Sequence, residues 1–167
     1  ANDKKEGYGK LSIIINGIEY LGFFKDNSYH GKGNYKTAIG DSYDGEWVKG
    51  KKEGSGIYIS SIGDRYEGSW KEDKKHEYGK YEFADGDKYE GFWKNDKITG
   101  KGIYEFANGG KCEGSFLDGK LNGDGLFNFS NGDKYKGAFI NGKRSGFGVF
   151  TLTDGAKYSG EWNNDKI

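Results

Sequence analysis

Along this chain, aromatic and polar residues alternate in a short pattern that returns at a fixed interval. In Tyr89-Glu90-Gly91-Phe92-Trp93 the two outer rings and the central glycine occupy alternate positions. The pattern recurs every 23 residues, with copies that begin at Tyr20, Tyr43, Tyr66, Tyr89, Cys112, Tyr135 and Tyr158. Alternation with a period of two predicts a half-buried β-strand. A constant period between 20 and 50 residues indicates a repeat array.

Each repeat also contains a second predicted strand and two predicted turns. The second strand reads Gly54-Ser55-Gly56-Ile57-Tyr58 and recurs from Gly100, Gly123 and Gly146. One turn is predicted near Lys49-Gly50-Lys51. The other is predicted at Asn-Gly or Asp-Gly dipeptides such as Asp85-Gly86, which tolerate positive φ in tight hairpins. Ile39-Gly40 and Ile62-Gly63 depart from that preference. One repeat is therefore expected to form one β-hairpin.

The strand glycines predict close packing of rings on the backbone. Gly45, Gly54 and Gly56 are expected on the same face as the rings, so that a ring from a neighbouring strand can lie flat on them. Glu77 takes the place of the first glycine of the pair, which predicts local distortion around His76. One additional residue near the N-terminus predicts a bulge or a longer turn around residues 12–16.

The expected fold is all-β: an elongated single antiparallel sheet of stacked β-hairpins with about seven 23-residue repeats. Residues 1–6 are predicted to be a disordered tail, and residues 7–167 a single array. The array is divided into a half repeat at 7–19, repeats that start at 20, 43, 66, 89, 112 and 135, and a partial repeat at 158–167. The absence of an initiator Met and the end in mid-repeat favour a piece of a longer protein.

Composition narrows the classes of function. Lys+Arg and Asp+Glu both number 26, so no net charge favours nucleic acid as a partner. Disordered chains are poor in aromatic residues, whereas 17% of this chain is Phe, Trp or Tyr. The apolar run at Ile13-Ile14-Ile15 is too short to span a bilayer, and no signal-peptide pattern is present. The single cysteine, Cys112, fits a reducing compartment and is interpreted as a small buried residue, with a reactive thiol as the alternative.

No pattern of catalytic, metal-binding or cofactor-binding residues emerges. Residues 137–143 resemble the start of a phosphate-binding loop, but Arg144 replaces the required Ser or Thr, and the repeat itself explains the string. His30 and His76 fall in one column two repeats apart, too far to share a metal. Asp85 and Asp87 lack the rest of a calcium loop. We expect no enzymatic activity and no cofactor.

The unit Tyr-x-Gly-x-Trp followed by Gly-x-Gly-x-Tyr, at a spacing of 23 residues, resembles the MORN repeat (membrane occupation and recognition nexus). The resemblance extends from Gly7 to Trp162. It implies an open antiparallel sheet of stacked hairpins without catalytic activity. It also implies scaffolding beside membranes and cytoskeleton, phosphoinositide or phosphatidic acid binding, peptide binding, or homodimer formation. The Lys- and Asn-rich, proline-free composition is similar to that of apicomplexan or other protist MORN scaffolds of the cytoskeleton.

Two sets of residues are candidate binding sites. A ring-lined groove for a partner would contain Tyr43, Trp47, Tyr66, Trp70, Tyr89, Trp93, Tyr135 and Tyr158. A basic column at one turn could contact anionic lipid through Lys51, Lys74, Lys97, Lys120, Lys143 and Lys166. A second basic column begins at Arg65, with Glu67 and its equivalents nearby to cancel it. The alternative for both columns is a solvated face.

Three hypotheses of function follow. The first is a non-enzymatic scaffold at the membrane–cytoskeleton interface that self-associates through its terminal strands, near Gly7 and Trp162. The second is a module that binds a peptide in the groove, or anionic phospholipid. The third is a regulatory repeat region of a larger enzyme. The expected partners are a peptide or a cytoskeletal component, a second copy of the chain, and peripheral phosphoinositide or phosphatidic acid membranes. The expected location is cytoplasmic, at the cytoskeleton or a membrane surface.

Overall fold

The computed structural model describes residues 4–13 and 17–167, and every regular element in these residues is a β-strand. The strands are β1 (Gly7–Ile13), β2 (Ile18–Lys25), β3 (Ser28–Lys36), β4 (Ser42–Val48), β5 (Lys51–Ile59), β6 (Arg65–Lys71), β7 (Lys74–Glu82), β8 (Lys88–Lys94), β9 (Lys97–Glu105), β10 (Lys111–Leu117), β11 (Lys120–Asn128), β12 (Lys134–Ile140), β13 (Lys143–Thr151) and β14 (Lys157–Trp162).

The strands belong to two compact units. The first unit ends at Ala84 and contains β1 to β7, and the second runs from Asp85 to Ile167 and contains β8 to β14. Within each unit, each strand pairs in antiparallel fashion with the strands that precede and follow it in sequence. The predicted all-β fold, an open antiparallel sheet of consecutive hairpins, is confirmed.

The N-terminal residues that the structure describes lie against the first hairpin turn. Lys4 Nζ is 2.6 Å from a carboxylate oxygen of Asp26, and the Lys5 amide donates to Asn27 Oδ1 at 2.8 Å. The predicted disordered tail at 1–6 includes three residues outside the described part. Its boundary, like the predicted boundaries of the repeats, stays a prediction.

The two-residue turn inside each hairpin is the one that requires positive φ at both positions. Between β4 and β5, Lys49 and Gly50 have φ of 50° and 79°; between β6 and β7, Glu72 and Asp73 have 47° and 68°. Two consecutive left-handed residues form a type I′ turn, whose twist matches that of the flanking strands. Asn, Asp and Gly dominate this column because they tolerate that conformation.

The loop between repeats is longer than the tight hairpin that its Asp-Gly and Asn-Gly dipeptides predict. Between β5 and β6 the Ser60 amide donates to Asp64 O at 2.9 Å, and the Gly63 amide donates to Ser60 O at 3.0 Å. In the dipeptides that lie wholly within residues 17–167, only the glycine has positive φ, 100° at Gly63. Ile62 is therefore tolerated before Gly63, and the two links with Ile keep the same loop as the others.

A β-bulge occurs in the hairpin of every full repeat. In the pairing of β4 with β5, Gly45 lies opposite Gly56 but Glu46 lies opposite Glu53, so two residues of β5 are unmatched. The first of these, Gly54, has a φ of 65°. By contrast, β1 and β2 pair regularly as far as Ile13 opposite Ile18. The rest of the bulge or long turn predicted at 12–16 lies outside the described residues.

Glu77 occupies the bulge position that is glycine in the other repeats. Its φ is 55°, close to the 65° of Gly54, and Gly68 still lies opposite Gly79. The predicted distortion around His76 is therefore wrong for the strand pairing. The irregularities at this site are a non-glycine residue held in the left-handed region, which is unfavourable for residues with a Cβ, and a buried His76 Nδ1 without a hydrogen-bond partner among the described residues.

Replacing Glu77 with glycine should stabilise the protein. A left-handed L-residue costs about 1–2 kcal/mol, and the unfolded-state entropy of glycine offsets part of that gain, which leaves about 0.5–1 kcal/mol. Urea unfolding of Glu77→Gly should show a higher midpoint with an unchanged slope. Lys74→Gly, on the same strand but without positive φ, is the matched control and should lower the midpoint. A lower midpoint for Glu77→Gly would contradict the strain argument.

Candidate functional site

The first-strand rings form the core of each unit and link successive repeats. The ring of Tyr43 lies edge-on to Trp47 of its own repeat at 5.0 Å between centroids and to Trp70 of the next repeat at 5.3 Å. Tyr135 contacts Phe139 and Trp162 in the same way, at 5.1 and 5.3 Å. Edge-to-face pairs at these distances are favourable. Each repeat thus completes the core of its neighbour.

The backbone accepts hydrogen bonds from several of these buried rings, whereas Trp162 Nε1 is buried without a hydrogen-bond partner among the described residues. Tyr43 Oη donates to Glu46 O at 3.1 Å, and Trp47 Nε1 donates to Gly33 O at 3.1 Å. Burial raises the pKa of Tyr20 to about 12 and also raises the pKa of Tyr43. The hydroxyls of Tyr20 and Tyr43 therefore stay protonated, and the hydrogen bond to Glu46 O fixes the Tyr43 ring.

Glycines at two positions of the repeat allow each tyrosine ring to pack directly on the backbone of the sheet. A Cβ on Gly45 or on Gly56 would lie within 3 Å of the Tyr43 side chain, so the ring rests on its own strand and on the next one. Gly54 is different, because a Cβ there would meet the Glu46 side chain and no ring. The expectation that Gly54 accommodates a ring is wrong, since its function is the left-handed bulge.

The residues predicted to line a groove are mostly buried. The exposed fraction is 1% for Tyr43, 4% for Trp47 and 0% for Tyr66, and Trp70, Tyr89, Trp93 and Tyr135 are likewise buried. Only Tyr158 of this set is half-buried. Within each unit these rings share one face of the sheet and form its floor. Direct partner contact by these rings remains a prediction, and the accessible surface above them belongs to other residues.

In the second unit, half-buried rings from second strands and the following loops make a continuous row above this floor. We call this row the aromatic rim: it consists of Tyr104, Phe106, Phe127, Phe129 and Phe150. Successive centroids are 4.8, 5.6, 4.5 and 5.7 Å apart. The site predicted from the sequence did not include the rim, although aromatic residues recur at both of its positions in the repeat, that of Tyr104 and that of Phe106.

Aspartates in the loops between repeats position part of the rim. Tyr104 Oη donates to Asp87 Oδ2 at 2.7 Å, and Asp87 Oδ1 accepts the Ala107 amide at 2.8 Å. In the first unit, Tyr81 Oη donates to Asp64 Oδ2 in the same way, at 2.8 Å. Burial, followed by the hydrogen bond to Asp87, raises the pKa of Tyr104. Asp87 thus joins two successive loops.

Cations cover the ring floor at several repeats. Lys52 Nζ lies 4.8 Å from the Tyr58 centroid and 4.7 Å from that of Trp70. The Arg144 guanidinium lies 4.2 Å from Trp162 and forms a 3.0 Å bond with Asp165. These are cation–π distances, so the aliphatic stems pack on the rings while the charges remain near water.

The predicted basic column is exposed at the two-residue turns. Its members are Lys51, Lys74, Lys97, Lys120, Lys143 and Lys166. Lys51 lies 3.8 Å from a Glu72 carboxylate oxygen, and Lys97 lies 2.9 Å from one of Asp118. Exposed pairs of this kind contribute little to stability. Contact of these lysines with lipid remains a prediction.

The remaining sequence-based candidates for chemistry are a cysteine and possible metal-binding groups. Cys112 is buried, and burial raises the pKa of its thiol to about 11, which agrees with a small buried residue rather than a reactive one. In residues 4–13 and 17–167, no group of three or more His, Cys, Asp or Glu could hold a metal ion. The same residues contain no helix of the length and apolarity needed to cross a bilayer.

Comparison with solved structures gives low overall similarity. The TCP domain of Drosophila melanogaster SAS-4, solved in complex with a proline-rich motif of Ana2, shows 12% identity and a TM-score of 0.46, over 93% of this chain and 90% of that one. The TCP10 domain of Danio rerio CPAP shows 13% identity and a TM-score of 0.29, over 90% and 82%. Its complex with a STIL peptide shows 14% and 0.27, over 92% and 83%. With TM-scores below 0.5, the partners of those proteins are not assigned to this chain.

Comparison by sequence identifies the repeat. A search of curated proteins found no significant match. The MORN repeat family model matches residues 1–13, 20–42, 43–65, 66–88, 89–111, 112–134, 135–157 and 158–167. Because these matches extend over nearly all of the sequence, the chain belongs to the MORN-repeat family.

Proposed function

We propose that this chain is a non-enzymatic scaffold module whose repeats hold a protein partner at the membrane–cytoskeleton interface, in the cytoplasm. The observation that carries the proposal is the aromatic rim of the second unit. The half-buried rings of the rim pack against one another in a row and offer apolar area to a partner. Aromatic side chains are enriched at protein interfaces. The buried ring floor supports the rim, so binding would require little reorganisation of the scaffold.

The spacing of the rim suits an extended peptide that crosses the strands. Two strands per repeat, about 4.8 Å apart, give about 10 Å between equivalent rings. A chain in the polyproline II conformation has three residues per turn and advances about 3.1 Å per residue, so its side chains at every third position lie on one face about 9 Å apart and would meet successive repeats. The groove predicted from Tyr89, Trp93, Tyr135 and Tyr158 would form the floor beneath such a peptide.

Substitution of one rim residue should separate partner binding from folding. Phe127→Ser is expected to weaken partner binding about 10-fold, the equivalent of about 1.4 kcal/mol, because one half-exposed ring no longer contributes apolar contact. The chain would be immobilised, partners would be captured from a cytoskeletal extract, and the affinity of each would be measured for both variants. Leu126→Ser is the matched control, since Leu126 is also half-buried but faces the other side of the same strand.

Three outcomes decide between the candidates. Loss of binding with Phe127→Ser but not with Leu126→Ser supports the rim. Equal affinities for the wild type and both variants would reject it. Binding that instead depends on anionic vesicles, and is unchanged by Phe127→Ser, would favour the lipid candidate.

A specific arrangement favours anionic phospholipid as a second candidate. Leu117 lies opposite Lys120, and Ile140 lies opposite Lys143, on either side of two successive turns. Leu117 and Ile140 are 53% and 57% exposed. Apolar and cationic side chains side by side suit the interface of a phosphoinositide or phosphatidic acid membrane. The third candidate, a regulatory region of a larger enzyme, would use the same surfaces.

Self-association through terminal strands is also part of the proposal. In the strand order, β1 and β14 are the terminal strands, so each has one edge that is not paired within the described residues. Unpaired edges present backbone donors and acceptors to another chain. We therefore include a second copy of the chain among the partners.

A further inference from the structure

We propose that Arg144 makes the second unit selective for a peptide with an acidic side chain, which its guanidinium binds where the aromatic rim ends at Phe150. This inference rests on the proposed function, because it specifies one residue of the partner that the rim would hold. It starts from a change of side-chain chemistry at one position of the repeat. At that position the second unit has Ile98, Leu121 and Arg144 in successive repeats.

This position lies next to the core rings of the first strands. It is directly opposite the last ring of the first-strand pattern, with Ile98 opposite Trp93, Leu121 opposite Phe116 and Arg144 opposite Phe139. Residues directly opposite each other in an antiparallel pair share a face of the sheet. A partner that lies over the ring face would therefore find an aliphatic surface in two repeats and a cation in the next one.

The guanidinium of Arg144 lies between the ring floor and the rim. Its central carbon is 4.2 Å from the Trp162 centroid, 5.7 Å from that of Tyr135 and 5.5 Å from that of Phe150, the last ring of the rim. These contacts hold the planar group on the rings. The Arg144 side chain is 21% exposed, so a carboxylate bound to it would be partly shielded from water, which strengthens a charge pair.

Asp165 uses one edge of the guanidinium and leaves another edge open. Arg144 Nε donates to Asp165 Oδ1 at 3.0 Å, and Nη2 donates to Asp165 O at 3.2 Å. Nη1 has no hydrogen-bond partner among the described residues and is not buried. The edge formed by Nη1 and Nη2 has the geometry that binds a carboxylate through two parallel hydrogen bonds. Asp165 therefore orients the group, and a partner can use the open edge.

The spacing of the repeats gives the sequence pattern of the partner. In a polyproline II segment, side chains at every third position are about 9 Å apart, close to the spacing of about 10 Å between repeats. Apolar side chains at two such positions would contact the repeats at 89–111 and 112–134. Glu or Asp at the next third position would then meet Arg144 in the repeat at 135–157.

Selection from a random peptide library identifies suitable probes. Short peptides displayed on phage would be selected on the immobilised wild-type chain, and those that no longer bind Phe127→Ser would be kept as ligands of the rim. These ligands should share an acidic residue three positions from an apolar one. One of them would then be synthesised with Glu and with Gln at the acidic position, and fluorescence anisotropy would give the affinity of each form. The wild type should bind the Glu form about 10-fold more tightly, because a partly shielded pair with Arg is stronger than a neutral hydrogen bond.

Substitution of Arg144 should change the preference rather than the fold. Arg144→Leu should bind the Glu and Gln forms equally; leucine is the natural residue at the equivalent Leu121, and the bond from the residue 144 amide to Asp165 Oδ1, 3.0 Å, is retained. Binding of the Gln form by this variant also shows that it is folded. Arg144→Lys keeps the charge without the planar edge, so the preference should fall to about 3-fold.

Lys136→Leu is the matched control. It removes the same charge from the same repeat, but Lys136 follows Tyr135 directly and therefore faces the other side of the sheet. It should keep the full preference for the Glu form. An equal loss of preference in Arg144→Leu and Lys136→Leu would indicate a long-range effect of charge and would reject direct contact.

The remaining outcomes separate this inference from the proposed function. A preference for the Glu form that persists in Arg144→Leu would overturn the inference, as would rim ligands that share no acidic residue; in both cases binding at the rim would stand. A full preference in Arg144→Lys would reject the bidentate contact. If no peptide distinguished the wild type from Phe127→Ser, the rim itself would be rejected and the selectivity with it.

Discussion

Gly56→Ala should destabilise the first unit by about 3 kcal/mol, the upper range for overpacking a core. The added Cβ would lie within 3 Å of the Tyr43 ring, which is buried and is held by its hydroxyl bond to Glu46 O. The ring cannot rotate away without losing its contacts with Trp47 and Trp70. Urea unfolding should show a lower midpoint.

A double-mutant cycle tests whether the ring is the cause. In a Tyr43→Ala background the space above Gly56 is empty, so adding Gly56→Ala should cost little. The interaction free energy between the two sites should then approach the full cost of Gly56→Ala in the wild type. Equal costs in the two backgrounds would contradict the argument and would point to the backbone of Gly56 instead.

The repeat and the strands could be predicted from the sequence because both depend on local alternation. Trp47 follows Tyr43 at an even offset in the sequence, which places both residues on one face of a strand whatever the surroundings. The constant period then requires each unit to meet its neighbour in the same way, as the contact between Tyr43 and Trp70 shows. Neither inference needs knowledge of the partner strand.

The turn geometry could not be predicted because it depends on how two strands pair. Lys49-Gly50 and Ile62-Gly63 both end in a glycine with positive φ, but only the first pair has positive φ at both residues. The two-residue bulge at Gly54 shifts the register and thereby decides which residues remain for each turn. A glycine in a strand sequence fits either a left-handed bulge or a ring-packing position, and the pairing distinguishes Gly54 from Gly56.

The candidate site was only partly predictable for a related reason. Alternation shows which residues share a face, but it does not show how much of that face neighbouring strands cover. Tyr43 and Tyr58 lie opposite each other on the same face, yet the first is buried and the second is half-buried. The next repeat places Trp70 against Tyr43 at 5.3 Å but lies farther from Tyr58, at 6.3 Å. The accessible ring therefore belongs to the second strand.

The largest loss of stability is expected for Trp70→Ala, about 4 kcal/mol, within the range for deleting a large buried aromatic side chain. The indole packs edge-on to Tyr43 and Tyr66, donates from Nε1 to Gly56 O at 3.1 Å, and underlies Lys52. Its removal leaves a cavity shared by two repeats, so both should lose stability. Amide hydrogen exchange should show faster opening of β4 to β7, because repeat stability is a sum over neighbouring units.

Trp70→Phe is the matched comparison, with an expected loss of about 1–2 kcal/mol, because it keeps a ring but leaves Gly56 O without its buried donor. The chain itself supplies the precedent: Phe116 and Phe139 occupy this column and are as buried as Trp70. Phe116 lies edge-on to Tyr89 at 5.4 Å, so a phenyl ring maintains the contact between repeats. If Trp70→Phe cost as much as Trp70→Ala, the hydrogen bond rather than the ring would hold successive repeats together. The aromatic core would then be a consequence of the sheet and not its cause.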